Sequence, residues 1–105
     1  MRKQDYKLPW HVRQYVKNEL MNYTATKKLL KDVQDTRALL VAVKRVETIE
    51  GVFRTLSKED RTISDLIFIK HYTQAKAECE GIGKNVYYNV MNKVIYQTAK
   101  ELELI

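Results

Sequence analysis

The sequence predicts an all-α fold, and three observations support this prediction. The chain of 105 residues contains only three Gly and one Pro, so few positions force a helix to end. Its apolar residues recur mainly at spacings of three and four, the period of an amphipathic helix. No segment combines strict alternation of apolar and polar residues with bounding turn residues, so we expect no β-strand.

Length and composition predict one globular domain over residues 1–105. Apolar residues make up 45% of the chain and charged residues 30%, an ordinary balance for a protein with one hydrophobic core. We divide the domain into long N-terminal helices over 10–56 and a segment over 57–105 that ends in a helix-turn-helix. The N-terminal helices are expected to pack against that C-terminal segment.

A first amphipathic helix is predicted to begin near Trp10, directly after Pro9. Its apolar positions are Val12, Tyr15, Val16, Leu20 and Tyr23. The residues of 24–26 interrupt this pattern, and Thr24 could cap a new turn that runs on to Val33. The sequence leaves open whether the helix kinks or breaks there. We expect Trp10 to cover an edge of the core rather than to stack on a nucleic-acid base.

A long helix is predicted to carry an apolar seam from Leu39 to Leu56. Its apolar residues follow a heptad pattern, with Leu39, Ala42, Val46, Ile49, Phe53 and Leu56 separated by three and four positions in turn. Three further apolar residues widen this stripe to the width of a core-facing surface, so burial within the chain is favoured over a coiled-coil dimer. If the protein dimerises, the candidate interface consists of Leu39, Val46, Ile49 and Phe53. Gly51 should cost this helix about 1 kcal/mol relative to Ala.

The next helix is predicted to begin near Lys58 and to end near Tyr72. Ser57 supplies a hydroxyl for the N-cap, and Asp60 supplies a carboxylate three residues later, which is the pattern of a capping box. The apolar run over 63–69 should be the most buried stretch of the chain.

The last two predicted helices have the spacing of a helix-turn-helix. Thr73 can cap a short helix over 74–80, and a glycine turn separates it from a recognition helix at about 84–101. A small residue lets the two helices approach, a Gly adopts the turn conformation, and apolar residues lock the second helix against the first. The residues at these packing positions are Ala77, Gly81, Ile82, Tyr87 and Val90.

The outward face of the recognition helix carries three asparagines, Asn85, Asn89 and Asn92. Their spacing of four and three places all three amides on one face. Asparagine is a weak helix former, so a task other than packing is expected to keep them, and bidentate contacts to adenine are one such task. The neighbouring Lys84, Tyr88 and Lys93 would contact phosphates. The alternative is a polar, solvated helix packed on the core.

Basic residues are concentrated in the first half of the chain. Residues 1–55 carry 12 Lys and Arg against 6 Asp and Glu, whereas 56–105 carry 7 of each. Tight DNA binding would therefore depend on phosphate contacts from the N-terminal helices, with Lys27 and Lys28 among the candidates. The alternative is that these charges form an ordinary solvated surface.

Several stretches of the chain resemble one family of DNA-binding proteins. The segment 12–23, followed by Lys27 and Lys28, resembles the N-terminal part of small phage transcriptional regulators of the RinA and ArpU type. The segment 45–61 resembles the part that leads into their C-terminal domain. That domain is similar to region four of bacterial sigma factors, and its motif positions are matched by Ala77, Gly81, Ile82, Tyr87 and Tyr88.

The resemblance implies sequence-specific DNA binding at a phage promoter and activation of late genes through contact with host RNA polymerase. Two departures from the family pattern affect this expectation. Gly83 replaces the usual Ser at the N-cap of the recognition helix, and that helix has fewer basic residues than usual. Both changes would weaken or reorient DNA binding.

Other chemistry has little support in the sequence. Cys79 has no second Cys to pair with, and we expect a packed or half-buried thiol because the flanking Glu78 and Glu80 disfavour a thiolate. His11 and His71 lack the spacing of metal ligands, so we expect no metal, no cofactor and no enzymatic activity. No stretch approaches the roughly 18 apolar residues of a membrane span, and no signal peptide is visible. A bacterial cytoplasmic location is expected.

The sequence therefore favours a non-enzymatic phage or prophage transcription regulator that binds double-stranded DNA, and half-site symmetry would require a homodimer. The alternative is a helical protein-interaction module, such as a phage packaging or assembly subunit, without sequence-specific DNA binding.

Overall fold

Helices are the only regular elements in residues 6–30 and 36–105, which are the residues that the computed structural model describes. The predicted all-α class is therefore confirmed. The helices of these residues are α1 Trp10–Met21, α2 Tyr23–Leu29, α3 Thr36–Thr55, α4 Lys58–Ser64, α5 Gln74–Cys79 and α6 Lys84–Glu101.

The first interruption of the N-terminal helices lies at Asn22, not at 24–26. Asn22 has φ −94° and ψ 4°, and it separates α1 from α2, whereas Thr24 lies inside α2 and caps nothing. Tertiary packing explains the position of the turn, because Tyr23 is buried and its ring meets Phe53 edge-on at a centroid distance of 5.7 Å. The proposed continuation to Val33 lies outside the described residues.

The heptad seam of α3 is part of the core. Val46, Ile49 and Phe53 are all at most 5% exposed, so the favoured interpretation of burial within the chain is confirmed. The candidate dimer interface is wrong for these three residues, because a side chain already packed in its own core has no surface to offer a partner. Leu39 is only partly buried.

The helix that begins after Ser57 starts as predicted but ends differently. The Ser57 hydroxyl accepts a hydrogen bond from the Asp60 backbone N–H at 3.2 Å, which confirms the N-cap. After Ser64 the chain widens into a π-helical turn, Asp65–Ile69, which contains the fully buried Ile67 and Phe68. The helical run therefore ends at Ile69, three residues before the predicted end.

Helix α6 is central to the fold, since it packs against α1, α3, α4 and α5. Its middle and C-terminal turns supply much of the core, with the buried residues Val90, Met91, Val94, Ile95, Thr98 and Ala99. This packing anchors the middle and C-terminal turns of α6 in the core, whereas most of its N-terminal residues lie on the surface.

Candidate nucleic-acid interface

The unit formed by α5, a glycine turn and α6 closely follows the prediction. The Thr73 hydroxyl accepts a hydrogen bond from the Lys76 backbone N–H at 3.2 Å and caps α5. Gly81 has φ +87°, a left-handed conformation that favours glycine, and the Ile82 N–H donates to the Ala77 carbonyl at 3.0 Å. The start and end of α6 are those predicted from the sequence.

Four of the five predicted packing positions of this unit face inward, whereas Gly81, which forms the turn, is exposed. Ala77, Tyr87 and Val90 are each at most 5% exposed, and Ile82 is partly buried against the core. The Tyr87 hydroxyl donates a hydrogen bond to the Tyr72 carbonyl at 2.7 Å, which ties α6 to the segment before α5. Burial raises the pKa of the Tyr87 phenol, so it stays protonated and remains a donor at neutral pH.

The N-terminal end of α6 projects from the core. Tyr87 is the single buried residue of 83–89, whereas six of the ten residues of 90–99 are buried. Every other position of 84–89 is exposed to solvent, namely Lys84, Asn85, Val86, Tyr88 and Asn89. The N-terminal end of α6 is therefore accessible to solvent on more than half of its circumference.

The third asparagine differs from the other two. Asn92 is only partly exposed, and its side-chain oxygen accepts a hydrogen bond from the Arg13 guanidinium at 2.8 Å. A bidentate contact to adenine requires both the oxygen and the nitrogen of the amide. Asn92 therefore acts as a link between α1 and α6 in this structure, and the exposed asparagine surface consists of Asn85 and Asn89.

Lys93 also has a partner within the chain. Its ammonium lies 2.8 Å from the Asp60 carboxylate on α4, and this hydrogen bond raises the pKa of Lys93. The lysine stays charged, but the carboxylate beside it offsets its attraction for a phosphate. Of the three residues assigned to phosphates on α6, Lys84 and Tyr88 remain exposed.

The two lysines assigned to phosphates on α2 have different surroundings. The Lys27 ammonium lies 2.9 Å from the Glu50 carboxylate and 3.4 Å from the Tyr23 hydroxyl, and the bond to Glu50 raises the pKa of Lys27. Lys28 is exposed. The Arg45 guanidinium, also on the basic N-terminal half, lies 2.6 Å from the Glu19 carboxylate.

Three side chains lie in surroundings that the sequence did not predict. Cys79 is exposed rather than half-buried, because it lies on the outer side of the short α5. Trp10 is 75% exposed at the first position of α1 and covers no edge of the core. Val86 is 48% exposed beside Asn85, although an apolar residue in a helix is usually assigned to the core. Helical periodicity could have indicated this exposure, because Val86 lies only about 100° around the helix from Asn85, which was expected to face solvent.

The described residues contain no cluster of metal-binding side chains and no membrane-spanning helix. His, Cys, Asp and Glu side chains form no group of three that could hold a metal ion in residues 6–30 and 36–105. Among the same residues, no helix is both long enough and apolar enough to cross a lipid bilayer.

Comparison with known proteins gives no relative. No family model matches the chain, and no curated protein or solved structure is significantly similar to it.

Proposed function

We propose that the protein binds double-stranded DNA through the projecting end of α6 and acts as a phage or prophage transcription regulator. The observation that carries this proposal is the exposure of the first two turns of α6, with Asn85 and Asn89 side by side on a helix anchored in the core. A recognition helix needs this arrangement, because its N-terminal residues must enter the major groove while its remainder holds the domain together.

The side chains of this end suit DNA chemically. Asparagine amides can donate to N7 of adenine and accept from its N6 amino group, and the flanking Lys84 and Tyr88 can reach phosphates. The formal net charge of +6 adds an attraction to a polyanion that does not depend on sequence. Contact with host RNA polymerase and a cytoplasmic location belong to the same proposal and rest on the family resemblance.

Ion pairs within the chain bear on how tightly DNA would be held. Lys27, Arg45 and Lys93 each have a carboxylate partner, so their net attraction for phosphates is reduced. Exposed basic residues such as Lys28 and Lys84 are then left to supply more of the binding energy. We therefore expect modest nonspecific affinity with a small salt slope.

A helical protein-interaction module is the second candidate function. Leu40 and Val41 are adjacent residues of α3 and are 65% and 55% exposed. Exposed neighbouring apolar side chains are more typical of a protein-binding surface than of a DNA-binding one. A packaging or assembly subunit of this kind would bind DNA without base preference or not at all.

Selection from a random duplex library distinguishes the two functions. The full chain is incubated with the library, bound duplexes are recovered and sequenced, and affinity for a random duplex is measured over a salt series. We expect an enriched motif and a linear fall of log affinity with log salt concentration. Failure to bind any duplex at low salt would contradict the proposal, and binding without an enriched motif would favour the interaction module.

A further inference from the structure

We infer that the exposed end of α6 recognises A·T base pairs in the major groove, with Val86 contacting a thymine methyl group beside adenines bound by Asn85 and Asn89. This inference rests on the proposed function and specifies the DNA that the surface would bind. It adds Val86, a residue without a role in the sequence-based predictions, to the base-contacting residues.

The arrangement of side chains around α6 places these three residues together. At about 100° per residue, Asn89 lies about 40° from Asn85, and Val86 lies about 100° from Asn85 on the same side. Tyr88 and Lys84 lie about 60° and 100° away on the opposite side. The two amides therefore occupy the middle of the exposed face, with an apolar edge formed by Val86 and a polar edge formed by Tyr88 and Lys84.

The spacing along the helix axis fits neighbouring base pairs. Four residues of α-helix rise about 6 Å, which is close to two base-pair steps of about 3.4 Å each. Val86 lies between the two asparagines along the axis, so it would meet a base pair between those that the amides contact. The three side chains together would cover a short run of about three base pairs.

The amino-acid types that α6 lacks also favour recognition of A·T base pairs. Guanine is recognised mainly by Arg or Lys, and cytosine by Glu or Asp. The helix contains no Arg, and its one acidic residue is Glu101 at the far end. Lys93 is paired with Asp60, and Lys84 lies at the edge of the face, where a phosphate is its nearer target. The centre of the surface is left with amides, which suit adenine, and an apolar group, which suits the thymine methyl.

The test measures binding of the full chain to short alternating A·T, A·U and G·C duplexes of equal length by fluorescence anisotropy. We expect at least a ten-fold preference for A·T over G·C, since two bidentate contacts, each worth about five-fold or more, act together. Uracil lacks the thymine methyl, so the A·U duplex should bind about four-fold more weakly, the worth of one buried methyl group. An A·T duplex containing 7-deazaadenine should also bind more weakly, because it lacks the N7 acceptor.

Two valine variants make the assignment specific. Val86→Ala should no longer distinguish thymine from uracil, whereas Val41→Ala, a change at a similarly exposed valine on α3, should distinguish them as the unchanged protein does. Circular dichroism melts of both variants establish that they fold.

The possible results separate this inference from the proposed function. A preference for G·C, or binding unaffected by uracil and 7-deazaadenine, would overturn the inference while DNA binding stands. A preference for A·T that survives both base changes would overturn it too, because the preference would then come from duplex shape. Binding to none of the duplexes would overturn both.

Discussion

The Arg13 guanidinium donates a hydrogen bond to the side-chain oxygen of Asn92 at 2.8 Å, and this bond joins α1 to α6 across 79 positions of the chain. It gives a structural reason for one of the three asparagines on α6. Asn92 stabilises the domain, and the two asparagines closer to the start of the helix are left on the surface.

The first prediction concerns this bond. Asn92→Ala should lower the free energy of unfolding by about 1 kcal/mol, because the loss of a partly buried hydrogen bond to a charged group exceeds the gain in helix propensity. Asn18→Ala on α1 is the control, since the same gain in helix propensity occurs at an exposed asparagine. Urea unfolding measures both. If the Asn92 variant were as stable as the control variant, the bond would not contribute to the fold.

The second prediction concerns the anchor of α6. Tyr87→Phe removes the hydroxyl that donates to the Tyr72 carbonyl and should lower the free energy of unfolding by about 1 kcal/mol. Tyr88→Phe removes an exposed hydroxyl from the neighbouring residue and should change stability little. Equal effects of the two changes on the urea midpoint would show that the bond to Tyr72 does not hold α6.

The third prediction concerns Gly51 in the interior of α3. A Cβ atom built at this residue meets no atom within 4 Å, and its φ is not in the left-handed region. Gly51→Ala should therefore raise the free energy of unfolding by about 1 kcal/mol, through helix propensity and a less flexible unfolded chain. The melting temperature should rise by about 4–8 °C. A lower melting temperature would mean that the open space beside Gly51 is needed by the fold.

The fourth prediction concerns pH. Hydrogen bonds from the Lys27 ammonium and the Tyr23 hydroxyl lower the pKa of Glu50. The Glu50 carboxylate then binds a proton less readily in the folded state than in the unfolded chain. The resulting stability is fully present above the ordinary glutamate pKa of about 4.3 and is lost as the pH falls through the lower, folded value.

Glu50→Gln tests this pH dependence by urea unfolding at neutral and acidic pH. The variant should be less stable than the unchanged protein at pH 7, and the difference should shrink as the pH falls. Glu47→Gln changes an exposed glutamate on the same helix and should keep the acid dependence of the unchanged protein. A difference that persisted undiminished at low pH would contradict the assignment to the Glu50 carboxylate.

Local signals made several of the helix boundaries predictable. Ser57 and Thr73 cap the helices that follow them, and Gly81 forms the left-handed turn before α6. Each of these signals acts over three or four residues, so the sequence alone contains the necessary information. The π-helical turn at 65–69 has no comparable local signal and was not predicted.

The surroundings of the candidate site were less predictable, because they depend on residues distant in sequence. Helical periodicity correctly placed Asn85 and Asn89 on the surface, and it gave Asn92 and Lys93 the same face. It could not show that Arg13 and Asp60 lie beside the latter two, since those partners are 79 and 33 positions away. Only the packing of α1 and α4 on α6 brings these groups together.

The fifth prediction tests the role of α6 in base recognition. Asn89→Ala should lower affinity for a duplex enriched by selection by roughly 5- to 150-fold, the worth of one bidentate contact. Affinity for a random duplex and its salt slope should stay the same, since no phosphate contact is lost. Lys28→Ala should have the opposite pattern, weakening binding to both duplexes and reducing the salt slope.

The most direct measurement is therefore the ratio of affinities for the selected and the random duplex, determined for the unchanged protein, Asn89→Ala and the control Asn18→Ala. Base recognition by α6 predicts that this ratio falls for Asn89→Ala and is preserved for Asn18→Ala. An Asn89→Ala variant that folds and keeps the full ratio would contradict it.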